Sequence, residues 1–520
     1  MKPFVANSTR DTACDEADFD SNPSIPMHSA MDSNHHDESD RPSSTSHASS
    51  ISDPSSPMSN VLIQMPSPQQ RRAFLLMLAY AKQLEKEDKN PIIAYCGITG
   101  GSCASNLLGN RIVCLACQKS VEDSVSDTGL PLVKLDNATA SKCKRTLTLT
   151  ERRGIVEGVR SCLVTLLRVL KKDLGKIKIA QAIKRKQYDT ATTLLQAAHH
   201  VMDEHDINET AVLNGRYACR KSLVIASTTR EIPFNTLDFN LFGMPMVFRG
   251  HTPHDRDAIQ LRMLSNPNDQ EVASDYFNAR ENTTLNRFAA KHRQFVPPEE
   301  ADNYERKITF FLSSQDECES LGPSWRSQFR DNASVIYQAA TQFPETYFCI
   351  RFHPNQANIL SDVNDGFEQL DGLRNIQIFG PHDDINSYTL IDWSDVVVTF
   401  ASTISVEACW RKKPVIQLGP SLYDQLGISE TPDTLEEFLE LLGTDLKPRG
   451  RDAASKYANY SVKDYDELDY LNYDDGTLRP VGFRRKLPAV VASLTQINEL
   501  SKRVLKKLIK YHLNSKRRAA

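Results

Sequence analysis

The sequence predicts an α/β protein of two domains facing across a cleft, each built on a parallel, doubly wound sheet. Three observations predict it. Short apolar runs that end in loops and lead into helical patterns recur in both halves of the chain. Apolar strands that alternate with helices need both sheet faces covered, which a parallel sheet provides. At 520 residues the chain is too long for one ordinary domain and long enough for two cores.

Residues 1–66 are rich in Ser, Asp, His and Pro, as in SNHHDESDRPSSTSHASS. Such a stretch buries too little apolar surface to offset its ordering entropy, and a disordered tail is expected. Order is expected from Ser67-Pro68, a helix start for RRAFLLMLAYAKQLEKE. PIIAYC then reads as a buried strand ending in the loop GITGGS. Helical patterns follow at 150–173 and 186–206, then the strand TAVLN and the helix GRYACRKSLVIAS. These make a first domain over 67–300. The second, over 301–445, alternates more clearly: KITFFL, TYFCI, NIQIF, VVVTF and PVIQL as strands, with helices between most of them. Residues 446–520 form an extension. Its end, SKRVLKKLIKYHLNSKRRAA, is basic and amphipathic, with Val504, Leu505, Leu508 and Ile509 on one face. Packing on the body is the favoured reading, and contact with an anionic membrane surface the alternative.

Composition narrows the function. A net charge of -4 argues against a general nucleic-acid binder. No apolar stretch is long enough to cross a bilayer, and the N-terminus carries acids where a secretory signal needs apolar residues. A cytoplasmic location is expected, peripheral to the membrane if the basic end binds there. The eleven cysteines are then reduced thiols or metal ligands. Cys96, Cys103, Cys114 and Cys117 raise a zinc question, since four thiolates can close a structural site. The first two are irregularly spaced, and Cys114 and Cys117 fit one helix face, so buried thiols are the favoured reading. GITGGS lacks the Lys of a phosphate-binding P-loop and the spacing of a dinucleotide loop.

Ligands of open parallel sheets bind beyond the carboxyl ends of the strands. Those ends carry Ser313-Ser314-Gln315-Asp316-Glu317, Arg351-Phe352-His353-Pro354-Asn355, Pro381-His382-Asp383-Asp384, Ala401-Ser402-Thr403 and Gly419. Ser402 and Thr403 stand where a strand gives way to a helix, where free N–H groups and hydroxyls suit a phosphate; plain helix capping is the alternative. Glu407, one turn on, is placed to reach ribose hydroxyls. His353 precedes a proline, which holds it extended at the sheet edge, and an imidazole can donate to a leaving phosphate.

RFHPN, SYTLIDWSDVVVTFASTISVEACWRKKPVIQLG and the loop with Tyr423 and Gly427 resemble the bacterial capsule polysaccharide biosynthesis family. The His-Pro and Ser-Thr pairs also resemble Kdo transferases and bacterial sialyltransferases of GT-B fold. The resemblance implies two Rossmann-like domains, a nucleotide-sugar donor, and a glycan or lipid-linked acceptor, with no further cofactor. It implies donor binding by Ser313, Ser314, Arg351, His353, Ser402, Thr403 and Glu407. It places the acceptor on the first domain, with a carboxylate there as general base. Asp238 and Asp255 are candidates, and Asp316 or Glu317 could reach from the other side. A nucleotide-sugar epimerase, a glycerophosphate transferase, or a non-catalytic component of capsule assembly or export stand as alternatives.

Overall fold

The computed structural model describes residues 59–282, 294–364, 366–474, 477–482 and 489–517. Two sheets dominate it. The first contains β1 (Asn60–Gln64), β2 (Asn90–Cys96), β3 (Leu132–Leu135), β4 (Glu209–Leu213), β5 (Phe234–Phe239) and β6 (Pro245–Arg249). The second contains β7 (Arg306–Phe311), β8 (Thr346–Arg351), β9 (Ile376–Phe379), β10 (Val396–Thr399) and β11 (Val415–Gln417). Strand order is β3-β2-β1-β4-β5-β6 in the first and β11-β10-β7-β8-β9 in the second. Every pairing is parallel except β5 with β6.

Both orders place the first strand of a domain beside its fourth. That is the Rossmann arrangement, and it opens a crevice where the winding reverses. In the first domain the crevice lies between β1 and β4. In the second it lies between β7 and β10. The fold is therefore the two-domain, Rossmann-like α/β fold the sequence predicts, with an antiparallel edge strand added.

One boundary moves. The expected tail runs too far, because Asn60–Gln64 form β1, a central strand paired with β2 and β4. Val61, Leu62 and Ile63 are fully buried. The rest of the expected tail, up to residue 58, lies outside the described residues.

The extension returns to the first domain. Helix Arg451–Lys463 packs on helix Gln270–Asn282. Asp464 then binds Arg262, and Asp466 accepts from Val247 N at 2.7 Å. The hairpin Leu471–Asp474/Thr477–Pro480 brings Leu478 into the core around Phe74. Helix Ala489–Arg517 buries Leu505, Ile509 and Leu513 in the core around Leu163 and Leu194. Val504 and Leu508 stay exposed, so the four residues read as one face divide between two. Among the described residues, no helix is long and apolar enough to cross a membrane.

A buried polar pair crosses the core of the first domain. Thr148 and Glu151 form a capping box at the start of helix Leu149–Leu167. Glu151 Oε1 also lies 2.8 Å from His199 Nε2, and both side chains are fully enclosed. Burial holds the His199 imidazole below its ordinary range. Burial pushes Glu151 up, but the Thr148 N–H and His199 outweigh it and hold the carboxyl low. An unfolded histidine binds a proton near pH 6.5, while this native one resists it. The native state is thus fully favoured above about pH 6.5 and loses stability as pH falls below that. His199→Ala should cost about 1–3 kcal/mol at neutral pH, because Glu151 Oε1 loses its buried hydrogen bond while Oε2 keeps the Thr148 N–H. It should also flatten the acid side of the stability profile. Urea unfolding of both proteins across pH 5–8 measures both effects.

Candidate functional site

The crevice of the second domain is built by two loops. Ser313 and Ser314 follow β7, and Ala401, Ser402 and Thr403 follow β10. The Ser313 hydroxyl donates to the Phe400 carbonyl, tying the loops together. Ala401 adopts φ 76°, a left-handed conformation that costs a non-glycine residue about 1–2 kcal/mol. Gly419, after β11, packs close beneath: a Cβ there would meet Phe400 C at 3.3 Å and Ala401 N at 3.4 Å. A left-handed residue beside right-handed ones turns successive N–H groups to one side and forms an anion-binding concavity. The N–H groups of Ala401, Ser402 and Thr403 find no acceptor among the described residues. Ser402 Oγ accepts only weakly from Ile404 N, at 3.4 Å, and Thr403 makes no side-chain cap. The following helix, Ile404–Trp410, is seven residues long. Anion affinity here rests on the loop's donors more than on a helix dipole.

The loop after β8 supplies the next wall. His353 caps a short 3-10 turn: Nδ1 accepts from Asn355 N at 3.1 Å, and its N–H donates to Gln356 Oε1 at 3.0 Å. Since Nδ1 accepts, the neutral ring carries its proton on Nε2. Asn355 Nδ2 donates to Glu317 Oε1 at 2.9 Å, joining this loop to the one after β7.

Two predicted donor contacts are engaged elsewhere. Arg351 is buried, donating to Gly380 O at 2.6 Å and to Asp383 O at 3.1 Å. It thereby ties β8 to the loop after β9, and burial lowers its pKa. Glu407 is also buried and accepts from Arg280 Nη2 at 2.5 Å and Nε at 3.2 Å. Its Oε2 is enclosed with no hydrogen-bond partner. Arg280 belongs to helix Gln270–Asn282, so the pair anchors that helix to the second domain.

The first domain supplies the opposite wall. Asp238, near the end of β5, accepts from Asn214 Nδ2 at 2.5 Å and from Phe239 N at 2.9 Å. Burial raises its pKa above the usual carboxylate range. Asn214 is left-handed at φ 59° and lies 3.4 Å from His254 Nε2. Burial and the nearby Arg216 hold His254 well below its ordinary pKa, so its ring is neutral at pH 7. The His254 carbonyl accepts from the Trp325 indole at 3.1 Å, which places this cluster where the domains meet. Asp255 is exposed and caps helix Arg256–Ser265 by accepting from Ala258 N at 3.2 Å. Arg256 crosses to the second domain, donating to Ser421 O and Ser324 O and pairing with Asp424.

Arg168 escaped the sequence reading. It ends helix Leu149–Leu167 in a left-handed conformation, φ 58°, and is 7% exposed. Its Nη1 pairs with Asp316 Oδ2 at 2.5 Å, and Nη2 donates to Asn355 O at 2.9 Å. Its carbonyl accepts from Leu360 N at 2.7 Å, and Leu170 N donates to Ser361 Oγ at 2.7 Å. A first-domain cation is thus wedged between the loops after β7 and β8. Burial pushes Asp316 up to about 6, against the opposing pull of Arg168.

Cys96, Cys103, Cys114 and Cys117, with Cys219, line one cavity in the first domain beside Gln64, Met65 and Ile98. Among the described residues, no three metal-ligating side chains come together. Burial pushes Cys96 up to about 12, Cys117 up to about 11 and Cys103 well above its ordinary value, so these thiols stay protonated.

Removing Arg168 tests the wedge. Arg168→Ala should cost about 3–5 kcal/mol, since Asp316 is left buried without its cation. In a double-mutant cycle with Asp316→Ala, the two losses should fail to add by about 1–3 kcal/mol. Urea titrations of the four proteins give both figures.

No curated protein matches this sequence. Among solved structures, Thermosulfurimonas dismutans KpsC, a beta Kdo 2,4 transferase, is 12% identical with a TM-score of 0.32, covering 49% of this chain and 80% of that one. A putative UDP-N-acetylglucosamine 2-epimerase from Listeria monocytogenes is 12% identical with a TM-score of 0.27, covering 79% and 99%. The UDP-GlcNAc 2-epimerase from Neisseria meningitidis, bound to UDP-GlcNAc, is 12% identical with a TM-score of 0.23, covering 78% and 100%. Residues 280–447, which hold β7 to β11 and the loops of this crevice, match the capsule polysaccharide biosynthesis protein family.

Proposed function

We propose that the protein is a glycosyltransferase that moves a sugar from a nucleotide donor onto a surface polysaccharide or a lipid-linked acceptor. One observation carries this reading. The unsatisfied N–H groups of Ala401, Ser402 and Thr403, with the hydroxyls of Ser402 and Thr403, sit at the reversal point of a capsule-family sheet, beside Ser313. That is where an open α/β sheet binds its ligand, and the donors suit a phosphate.

The chemistry divides between the walls. The acceptor hydroxyl attacks the anomeric carbon as the bond from that carbon to the phosphate oxygen breaks. Negative charge gathers on the leaving nucleotide phosphate, which the 401–403 N–H groups, the Ser402 and Thr403 hydroxyls and the His353 Nε2 proton stabilise. The acceptor's proton passes to a base of the first domain. Asp238 is that base: it is held by Asn214, and its raised pKa makes it a better proton acceptor than an ordinary carboxylate. Arg351 and Glu407 support the site from behind. Wedging by Arg168 keeps the walls together and water out.

Calorimetric titration with CMP, UDP and GDP tests the donor half. At least one should bind, and His353→Ala combined with Ser402→Ala should weaken it by about tenfold or more. Binding of none, or an unaffected double variant, overturns the reading. Asp238→Asn tests the acceptor half. It should lower turnover by about a hundredfold or more while nucleotide affinity holds. In the intact enzyme the rate should rise with pH as Asp238 ionises, with a midpoint above that of a free aspartate. A changed nucleotide sugar formed without any acceptor would assign an epimerase instead.

A further inference from the structure

Two adjacent helices of the first domain leave apolar residues in water. Helix Ala489–Arg517 buries Leu505, Ile509 and Leu513, four residues apart on one face. On the far side it exposes Leu500, Val504, Leu508 and Tyr511, from 49% for Val504 to 76% for Tyr511. Their spacing keeps them on a single helical stripe. Helix Arg111–Ser126 packs beside it, with Asn498 Nδ2 donating to Ser105 O just ahead of that helix. It exposes Ile112 at 63% and Leu115 at 54%, one turn apart. An isolated exposed leucine means little, but two such stripes on neighbouring helices call for a partner.

Charge selects the partner. The whole chain is acidic, at -4, yet residues 501–510 hold five lysines or arginines and no acid. Arg503, Lys507 and Lys510 are exposed beside the apolar stripe, and Arg111 stands next to Ile112. Apolar residues sit between cations, with a tyrosine among them. That pattern suits a surface with hydrocarbon beneath a negative layer. A protein partner of ordinary composition would not require the cations.

We propose that this face docks on an anionic lipid surface. Leu500, Val504, Leu508, Ile112 and Leu115 enter the acyl boundary, while Arg503, Lys507 and Lys510 meet the headgroups. Docking is independent of the donor chemistry, since none of these residues belongs to the crevice.

Co-sedimentation of the full chain with phosphatidylcholine vesicles, with and without phosphatidylglycerol, is the test. Binding should need the anionic lipid and weaken as salt screens it. Substituting Arg503, Lys507 and Lys510 together by alanine should lower partitioning by about a hundredfold. Val504→Asp with Leu508→Asp should lower it by about tenfold or more, since both side chains lose their apolar burial. All are surface positions, and thermal unfolding with nucleotide titration of each variant confirms that fold and crevice persist. Equal binding to neutral vesicles, or variants that bind like the parent, overturns the proposal. So does a shift from dimer to monomer by light scattering in the aspartate variant with vesicle binding unchanged, which would make the face a contact between copies. A failed nucleotide titration with intact vesicle binding would count against the transferase reading alone.

Discussion

The buried pair of Arg168 and Asp316 is the contact on which the rest of the site depends. A guanidinium taken out of water needs its donors satisfied, and Arg168 finds a carboxylate on the loop after β7 and a carbonyl on the loop after β8. Both acceptors belong to the second domain, and the cation to the first. A lysine could satisfy one of them but not both in this planar geometry. The wedge therefore ties the first domain to both loops at once. Ser314 adds to this by donating to Asp316 Oδ1 at 2.6 Å, so the carboxylate that holds the domains together also shapes the phosphate loop.

The second domain was legible in the sequence because its strands are apolar, short and separated by helices. Each of KITFFL, TYFCI, NIQIF, VVVTF and PVIQL overlaps an observed strand. Their order, and with it the crevice between β7 and β10, is known only from the structure. What sequence could not show was engagement. Arg351 and Glu407 stand at strand and helix ends, as ligand contacts do, but their partners lie far along the chain at Gly380, Asp383 and Arg280. A charged residue at a strand end reads the same whether it meets a ligand or a distant carbonyl.

The first domain hid more. β1 is five residues long and follows a Ser- and Pro-rich stretch of sequence without helical periodicity, so the alternating pattern that marks the other strands is missing on one side. Its place became clear only through pairing with β2 and β4. Arg168 follows an apolar helix without the glycine that usually marks a left-handed end. His254 and Asn214 lie forty residues apart, and only the turn after β4 and the approach of Trp325 bring them to Asp238. Asp238 and Asp255 read alike as candidates in the sequence, and only the structure tells their surroundings apart. Asp255 faces outward to cap its helix, while Asp238 faces the histidine's neighbour.

Two carboxylates at the cleft are perturbed by the same physics and held by different partners. Burial raises both Asp238 and Asp316. For Asp316, a native pKa of about 6 lies above the unfolded value near 3.9, so the native state binds the extra proton and gives up stability as pH rises from about 4 to about 6. Arg168 limits that loss by supplying the charge the ionised form needs. Asp238 has no such ion pair: an amide and a backbone N–H hold it, and the arginines nearby act only at a distance. The guanidinium contact favours the charged form of Asp316 and opposes the rise that burial imposes, whereas Asp238 has only neutral donors in contact. The fold thus sets a buried cation against one carboxylate and neutral hydrogen-bond donors against the other, so burial meets a different counterweight in each.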